Sequence, residues 1–322
     1  MDTISHLALG VLVARTCMGR KPHPSGRWFL LYGAIASELP DLDVLLTPFC
    51  SRLDALLAHR AFSHSLLLWL LAPPLLAWII QLLHRRANFA WGRLALVLWA
   101  AWGSHLLVDL FNTYGTAYLY PFADTRFSID ALPILDLTLL LSLSALALML
   151  VSGRSLQRVQ LLLAWGGVAL TVIYLVGAVG SKVLIERRLK AHPDYAGHQL
   201  YTSPLPITVA RWMFVVDAHE RFLVGRIGPL GQPTLVAELP KRHPLLSGYA
   251  ESTEVQAVQR FTKGWLCVQP HPNGGLWLHD LRFASMASTY PDAYVLSFRV
   301  MRTQNGVCIT PSRIRRHIGP WF

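Results

Sequence analysis

Among the histidines and aspartates in the apolar half of this 322-residue chain, eight stand beside or within apolar segments in positions that could do chemistry: His6, Asp41, Asp43, His59, His64, His105, Asp109 and Asp136. Ionisable groups inside apolar segments are costly and mark functional sites by default. His105-Leu-Leu-Val-Asp109 has i,i+4 spacing, which puts both side chains on one helix face about one turn apart. Helical bundles present paired ligands to one metal in this way; a plain His–Asp hydrogen bond between helices is the competing reading. Asp41-Leu42-Asp43 follows Pro40 at a helix end, where two carboxylates can converge on a cation or serve only as a solvated turn. In His59-Arg60-Ala61-Phe62-Ser63-His64-Ser65, a five-residue separation does not put two histidines on one helix face. His59 is therefore expected in a loop and His64 in the first turn of the next helix, with Ser63 or Ser65 as its cap. Arg60 carries a planar fork suited to a phosphoryl group, or else snorkels at an interface. His6 and Asp136 stand alone, and each also has a structural reading.

Taken together, four His and four Asp without Cys suit a divalent ion, zinc first and manganese or iron next, in a site of one to three ions. A two-metal site generates hydroxide near neutral pH and clamps the oxygens of an in-line displacement. Phosphoester hydrolysis fits this composition, with Arg60 on the phosphoryl group and Asp43 or Asp41 left as base. Gly-Gly and Ser-Gly pairs match no phosphate loop, and there is no Gly-x-Ser-x-Gly elbow.

The elements that must position these groups are apolar helices. Hydrophobic residues make up 53% and charged residues 15% of the chain, and mean hydropathy is +0.39. Soluble domains carry about 25% charged residues, so disorder is excluded and a membrane is indicated. Two short apolar pieces, residues 4–18 and 28–39, precede four long runs at 65–83, 94–113, 132–152 and 161–182. Each long run approaches the roughly 20 residues of a spanning helix. The expected fold is mainly α: a polytopic membrane helical bundle of about four long spans plus two short N-terminal helices over residues 1–189. In residues 190–322 prolines and polar residues appear and short β-type runs replace the long apolar ones, which predicts a soluble α+β or β-rich domain. Residues 261–269 and 276–283 flank an Asn273-Gly274 turn and read as a hairpin, and residues 294–302 as a further strand.

Basic loops at Arg20, Lys21 and Arg27, at Arg85, Arg86 and Arg93, and at Arg154 and Arg158 fall on one side if the helices alternate. The positive-inside rule makes that side cytoplasmic. The loop 114–131, the C-terminal domain and the His/Asp set then lie on the other side of an inner (plasma) membrane; Arg187, Arg188 and Lys190 run against this. The net charge of +11 is thus assigned to lipid and loops, and a nucleic-acid partner is disfavoured. Cys17, Cys50, Cys267 and Cys308 have no metal-type spacing and form no framework. The N-terminus carries no basic region typical of a signal peptide.

His6 with its apolar helix, Pro40-Asp41-Leu42-Asp43, His59-Arg60-Ala61-Phe62-Ser63-His64-Ser65 and His105-Leu-Leu-Val-Asp109 resemble, in this order, the membrane-bound metal-dependent hydrolases typified by the YdjM and YbcI inner-membrane proteins. The Phe261-Thr-Lys-Gly-Trp265 and Asp280-Leu-Arg-Phe283 runs are similar to a tail in longer members. Ala61 and Ser63 replace a glycine and a threonine common there. The motif style is also similar to zinc-dependent phospholipase C and the S1/P1 nucleases. The resemblance implies a metal-dependent hydrolase with a phosphodiester or phospholipid substrate. A metal-binding or transport protein without hydrolysis is the alternative; it predicts polar groups spread through the bilayer depth. A third reading is a structural polar cluster beside a binding domain. Oligomeric state is left open.

Overall fold

The computed structural model describes residues 2–19, 26–85, 89–152, 156–283, 294–303 and 306–312. Arg20, Lys21, Arg86 and Arg154, named above, lie outside the described residues. The chain forms two compact units. One comprises Met1–Phe49 and Leu57–Val179, the other Cys50–Leu56 and Gly180–Phe322.

The first unit is helical. Helix α1 (Thr3–Met18) begins at Asp2, whose carboxylate accepts from Ser5 N at 2.9 Å and Ser5 Oγ at 2.7 Å, which satisfies otherwise orphan donors of the first turn. It packs on α2 (Gly26–Glu38) through small residues. A Cβ built on Gly10 would meet the Gly33 carbonyl oxygen, and one on Gly33 would run into Ala14 Cβ. Two backbones can approach this closely only where both faces lack side chains. A 3-10 segment, Leu39–Phe49, follows α2 directly. After α3 (Arg52–Ala58) and a short 3-10 turn at Phe62–His64, α4 (Leu66–Leu83) starts from a Ser65 cap. It runs unbroken through Pro73 and Pro74. Pro73 cannot donate to the Trp69 carbonyl four residues earlier; Trp99 Nε1 does so instead, at 2.8 Å. Helix α5 (Trp91–Asp109) supplies that tryptophan and packs on α1, α2 and α4, its inward face being Leu94, Val97, Leu98 and Ala101.

The expected bundle of about four spans does not form. Among the described residues, two helices are long and apolar enough to cross a membrane: α4, and α7 (Gln157–Lys190, 34 residues). The 94–113 run becomes α5, which buries His105 and Asp109 inside the unit rather than presenting an apolar cylinder. The 132–152 run is cut at Asp136, whose side chain caps α6 (Leu137–Val151) through Leu139 N. The remaining 15 residues are about 22 Å long, short of a core of about 30 Å. The side assignment that rested on four alternating helices loses its basis with them.

In the second unit, β1 (Gln199–Pro204), β2 (Trp212–Ala218), β3 (Arg221–Ile227) and β4 (Thr234–Pro240) form one antiparallel sheet in sequence order. Helix α8 (Thr253–Phe261) then leads to a second sheet: β5 (Leu266–Pro270), β6 (Leu276–Asp280), β7 (Leu296–Thr303) and β8 (Gly306–Ser312), again antiparallel in order. The architecture is therefore mixed α/β and not mainly α. The Asn273-Gly274 turn joins β5 to β6, with Gly274 and Gly275 at φ +83° and +84°. Residues 261–265, read as the start of a strand, instead close α8, because Ser252 caps a helix whose Val255, Val258 and Phe261 face inward.

One buried group makes this unit pH-sensitive. His279 stacks on Tyr294 with ring centroids 3.8 Å apart, and its Nδ1 shares 2.7 Å with Ser297 Oγ. Burial pushes it from 6.5 down to about 4. The unfolded chain thus binds a proton that the folded chain refuses, so stability is complete above pH 6.5 and falls as pH drops toward 4. The loss approaches about 3 kcal/mol at the lower end. Thermal melts should show this slope, and His279→Gln should flatten it.

Candidate metal centre

Four of the eight singled-out residues converge. Asp41, His64, His105 and Asp109 each offer one ligand atom, and these atoms all lie within 4.8 Å of one another. The separations are 3.1 Å between the two Nε2 atoms, 3.3 and 3.6 Å from Asp41 Oδ1 to His64 and His105, and 3.5 Å from Asp109 Oδ2 to each. Asp41 comes from the 3-10 segment after α2, His64 from the turn before α4, and His105 and Asp109 from the last turn of α5. All but Asp41 are fully buried.

The surrounding hydrogen bonds fix the tautomers. A carbonyl only accepts, so His105 Nδ1 donates to Ser37 O at 2.7 Å. Ser63 Oγ donates to Asp43 Oδ2 at 2.7 Å, which leaves its lone pair to accept from His64 Nδ1 at 3.0 Å. Both Nε2 atoms therefore turn unprotonated lone pairs toward each other and toward two carboxylate oxygens. Asp41 Oδ1 is buried and makes no hydrogen bond among the described residues. Four lone pairs facing one point repel unless a cation or added protons join them, and oriented histidines of this kind are what metal sites require.

The other four residues take different places. His6 stacks on His105 at 3.8 Å and sets Nε2 3.3 Å from Asp109 Oδ1, so it braces the cluster from behind. Asp43 and His59 pair at 2.7 Å outside the cluster. Asp43 was expected as a ligand and free base, but its oxygens are taken by His59 Nδ1, Arg60 N and Ser63 Oγ. Burial acts to raise its pKa; the hydrogen bonds from His59, Ser63 and Arg60 outweigh that and hold it below the usual carboxylate range. Asp136 is not brought to the cluster. One oxygen caps α6 and the other accepts from Tyr174 Oη at 2.8 Å, so its ligand role is withdrawn.

Arg60 is buried with Nη2 3.0 Å from Asp109 Oδ2, while Nε and Nη1 make no hydrogen bond among the described residues. Its backbone is left-handed at φ 60°, pinned by its N–H on Asp43 and by its carbonyl on Ala117 N at 2.9 Å. Such strain persists only where surrounding contacts over-determine it.

Two contributors escaped the sequence reading. Ser37 acts through its carbonyl, which leaves no side-chain signal. Glu38 ends α2 three residues before Asp41; burial first, with Asp41 and Asp109 adding, pushes its carboxyl up to about 7. Its position ahead of Leu39-Pro40-Asp41 was the available clue.

Residues 1–183, which contain every group described here, match the YdjM inner membrane protein family. The chain belongs to that family. The YdjM match ends at residue 183, and the two four-stranded sheets lie beyond it. The chain is also similar to the uncharacterized protein YfhP of Bacillus subtilis (strain 168), 24% identical over 242 residues, covering 70% of this chain and 68% of YfhP. No solved structure matches this YdjM-family chain.

Ser63 offers a sharp test of the hydrogen-bond relay. Ser63→Ala removes the acceptor that orients His64 without touching a ligand. Loss of such a partner costs about 10–100-fold in metal affinity. Competition titration against a chromophoric chelator should show that drop, and unchanged affinity would mean that His64 is oriented by packing alone.

Proposed function

We propose that the chain is a metal-dependent hydrolase of the inner membrane that cleaves a phosphoester. The converging donor set carries this reading. Ligands at about 2.0–2.1 Å around a tetrahedral zinc ion stand about 3.3–3.4 Å from one another, and the five separations quoted above run from 3.1 to 3.6 Å. That supports zinc held by Asp41, His64, His105 and Asp109, in place of the larger oxygen cages of calcium. A divalent ion held there supplies Lewis acidity toward a phosphoryl oxygen and makes water a better nucleophile.

The chain's own groups supply the rest. Arg60 keeps Nε and Nη1 beside the cluster without a hydrogen bond among the described residues, and their N–H groups are donors of the kind that bind phosphoryl oxygens. Asp109 holds that guanidinium in place. Asp41, partly exposed, marks the side from which a substrate reaches the cluster. With Asp43 committed and Asp41 and Asp109 in the donor set, Glu38 is a nearby carboxyl with an oxygen that makes no hydrogen bond among the described residues, and we assign it the proton-accepting role.

Purified protein should carry metal, zinc foremost, and hydrolyse bis(p-nitrophenyl) phosphate. Chelation, Arg60→Lys and Glu38→Gln should each remove the activity. Absence of bound metal after reloading at neutral pH would end the reading. Bound metal with no hydrolysis of phosphodiesters or phospholipids would leave a metal-binding protein.

A further inference from the structure

We infer that residues 44–49 bed in the boundary between headgroups and acyl chains of the bilayer and open the metal centre to the phosphate of a membrane lipid. The substrate half of this inference rests on the hydrolase reading above; the docking half does not.

The 3-10 segment Leu39–Phe49 leads away from the ligand Asp41. From residue 44 to its end at Phe49 it carries no charge. Val44 is 58% exposed, Leu45 64% and Phe49 86%. A 3-10 turn holds three residues, so adjacent side chains point about 120° apart. Exposure of both Val44 and Leu45 means that more than one side of the segment stands clear of its own unit. An apolar segment exposed on several sides is covered in use by lipid or by another protein.

The placement of His64 decides between these. Two residues after this ligand, α4 begins, and its leucines are exposed from Leu66 onward. This helix is one of the two candidate spans; its 18 residues make about 27 Å, close to the thickness of the hydrocarbon core. The metal centre therefore sits at the end of a span, level with lipid headgroups. The exposed apolar surface continues from α4 to the rim. Phe62 is 57% exposed in the turn that packs against the 3-10 segment. Its ring lies 6.4 Å from Tyr120, beside the exposed Phe122. The Leu66 N–H donates to Tyr118 O at 2.9 Å, which ties that loop to the start of α4. The bilayer that covers α4 thus reaches the rim, which brings lipid phosphates to the side of the centre where Arg60 keeps Nε and Nη1 without a hydrogen bond among the described residues.

The test uses the full chain in phosphatidylglycerol/phosphatidylcholine vesicles. Leu45→Cys and Phe49→Cys, each in a background with Cys17, Cys50 and Cys308 replaced by serine, are labelled with an environment-sensitive fluorophore. Lipids with shallow spin labels should quench both positions strongly, and aqueous iodide weakly. Strong iodide quenching without lipid quenching overturns the docking surface. Resistance to both quenchers also overturns it, pointing to a second copy or a protein partner. In parallel, the zinc-loaded wild-type protein is assayed on vesicle phospholipid and on soluble bis(p-nitrophenyl) phosphate. A kcat/KM at least tenfold higher on the lipid is expected. Lipid quenching with hydrolysis of the soluble diester alone overturns the substrate half. Lipid quenching with no hydrolysis of either supports the docking surface and removes the hydrolase reading.

Discussion

Asp109→Asn should abolish metal binding and destabilise the helical unit at once. Asp109 is fully buried among Arg60, His6, His64 and His105, at 3.0 to 3.5 Å. The amide keeps the size of the side chain and removes the charge that a divalent ion needs. It also strands the buried Arg60 guanidinium, and breaking a buried ion pair costs about 3–5 kcal/mol. Asp41→Asn separates the two effects. Asp41 is partly exposed and has no arginine partner among the described residues, so its variant should lose metal with a smaller change in melting temperature. Leu107, exposed on the opposite face of α5, serves as the control; Leu107→Ala should keep full metal. Elemental analysis and thermal melts in detergent measure both quantities. Full occupancy in Asp109→Asn would make this aspartate a counter-ion to Arg60 and nothing more.

Gly33→Val should be comparably severe although residue 33 touches no ligand. A Cβ there collides with Ala14 Cβ and stands 2.7 Å from the Gly10 carbonyl oxygen, so α1 and α2 must separate. Overpacking of this kind costs about 1–3 kcal/mol, and more where backbone must move. The separation pulls apart Ser37 Oγ and the His6 carbonyl, now 2.8 Å apart, and shifts the Ser37 carbonyl that holds His105. Both melting temperature and metal affinity should fall. Gly166→Ala is the counterpart: a Cβ there meets nothing within 4 Å, and replacing glycine within a helix stabilises by about 0.5–1 kcal/mol. Equal behaviour of the two variants would show that the α1–α2 crossing does not set the geometry of the centre.

The donors of the candidate centre were legible in the residues because metal-ligating residue types are few and helical periodicity is rigid. His105 and Asp109 share a face by their spacing alone, and Ser63 or Ser65 stood ready to cap the uncharged run that follows, the structure choosing Ser65. Hydropathy was a poorer guide to spans, since it weighs residues without seeing partners. It counted 94–113 as a span although that stretch folds as a helix burying two ligands. It also ran 132–152 through Asp136, where a cap starts the helix five residues late. Which donors meet was beyond any linear pattern. Asp41 and Asp43 are two residues apart, yet one faces His64 and His105 while the other closes on His59, Arg60 and Ser63. That division depends on the direction of a 3-10 turn and on hydrogen bonds across 16 to 20 residues of chain. The linear order determined the donor set, its lack of thiolate and the helices that carry it. The tertiary packing decided which four groups converge, because convergence depends on helix crossings held by Gly10, Gly33 and a backbone carbonyl at Ser37, none of which has a side-chain chemistry to read.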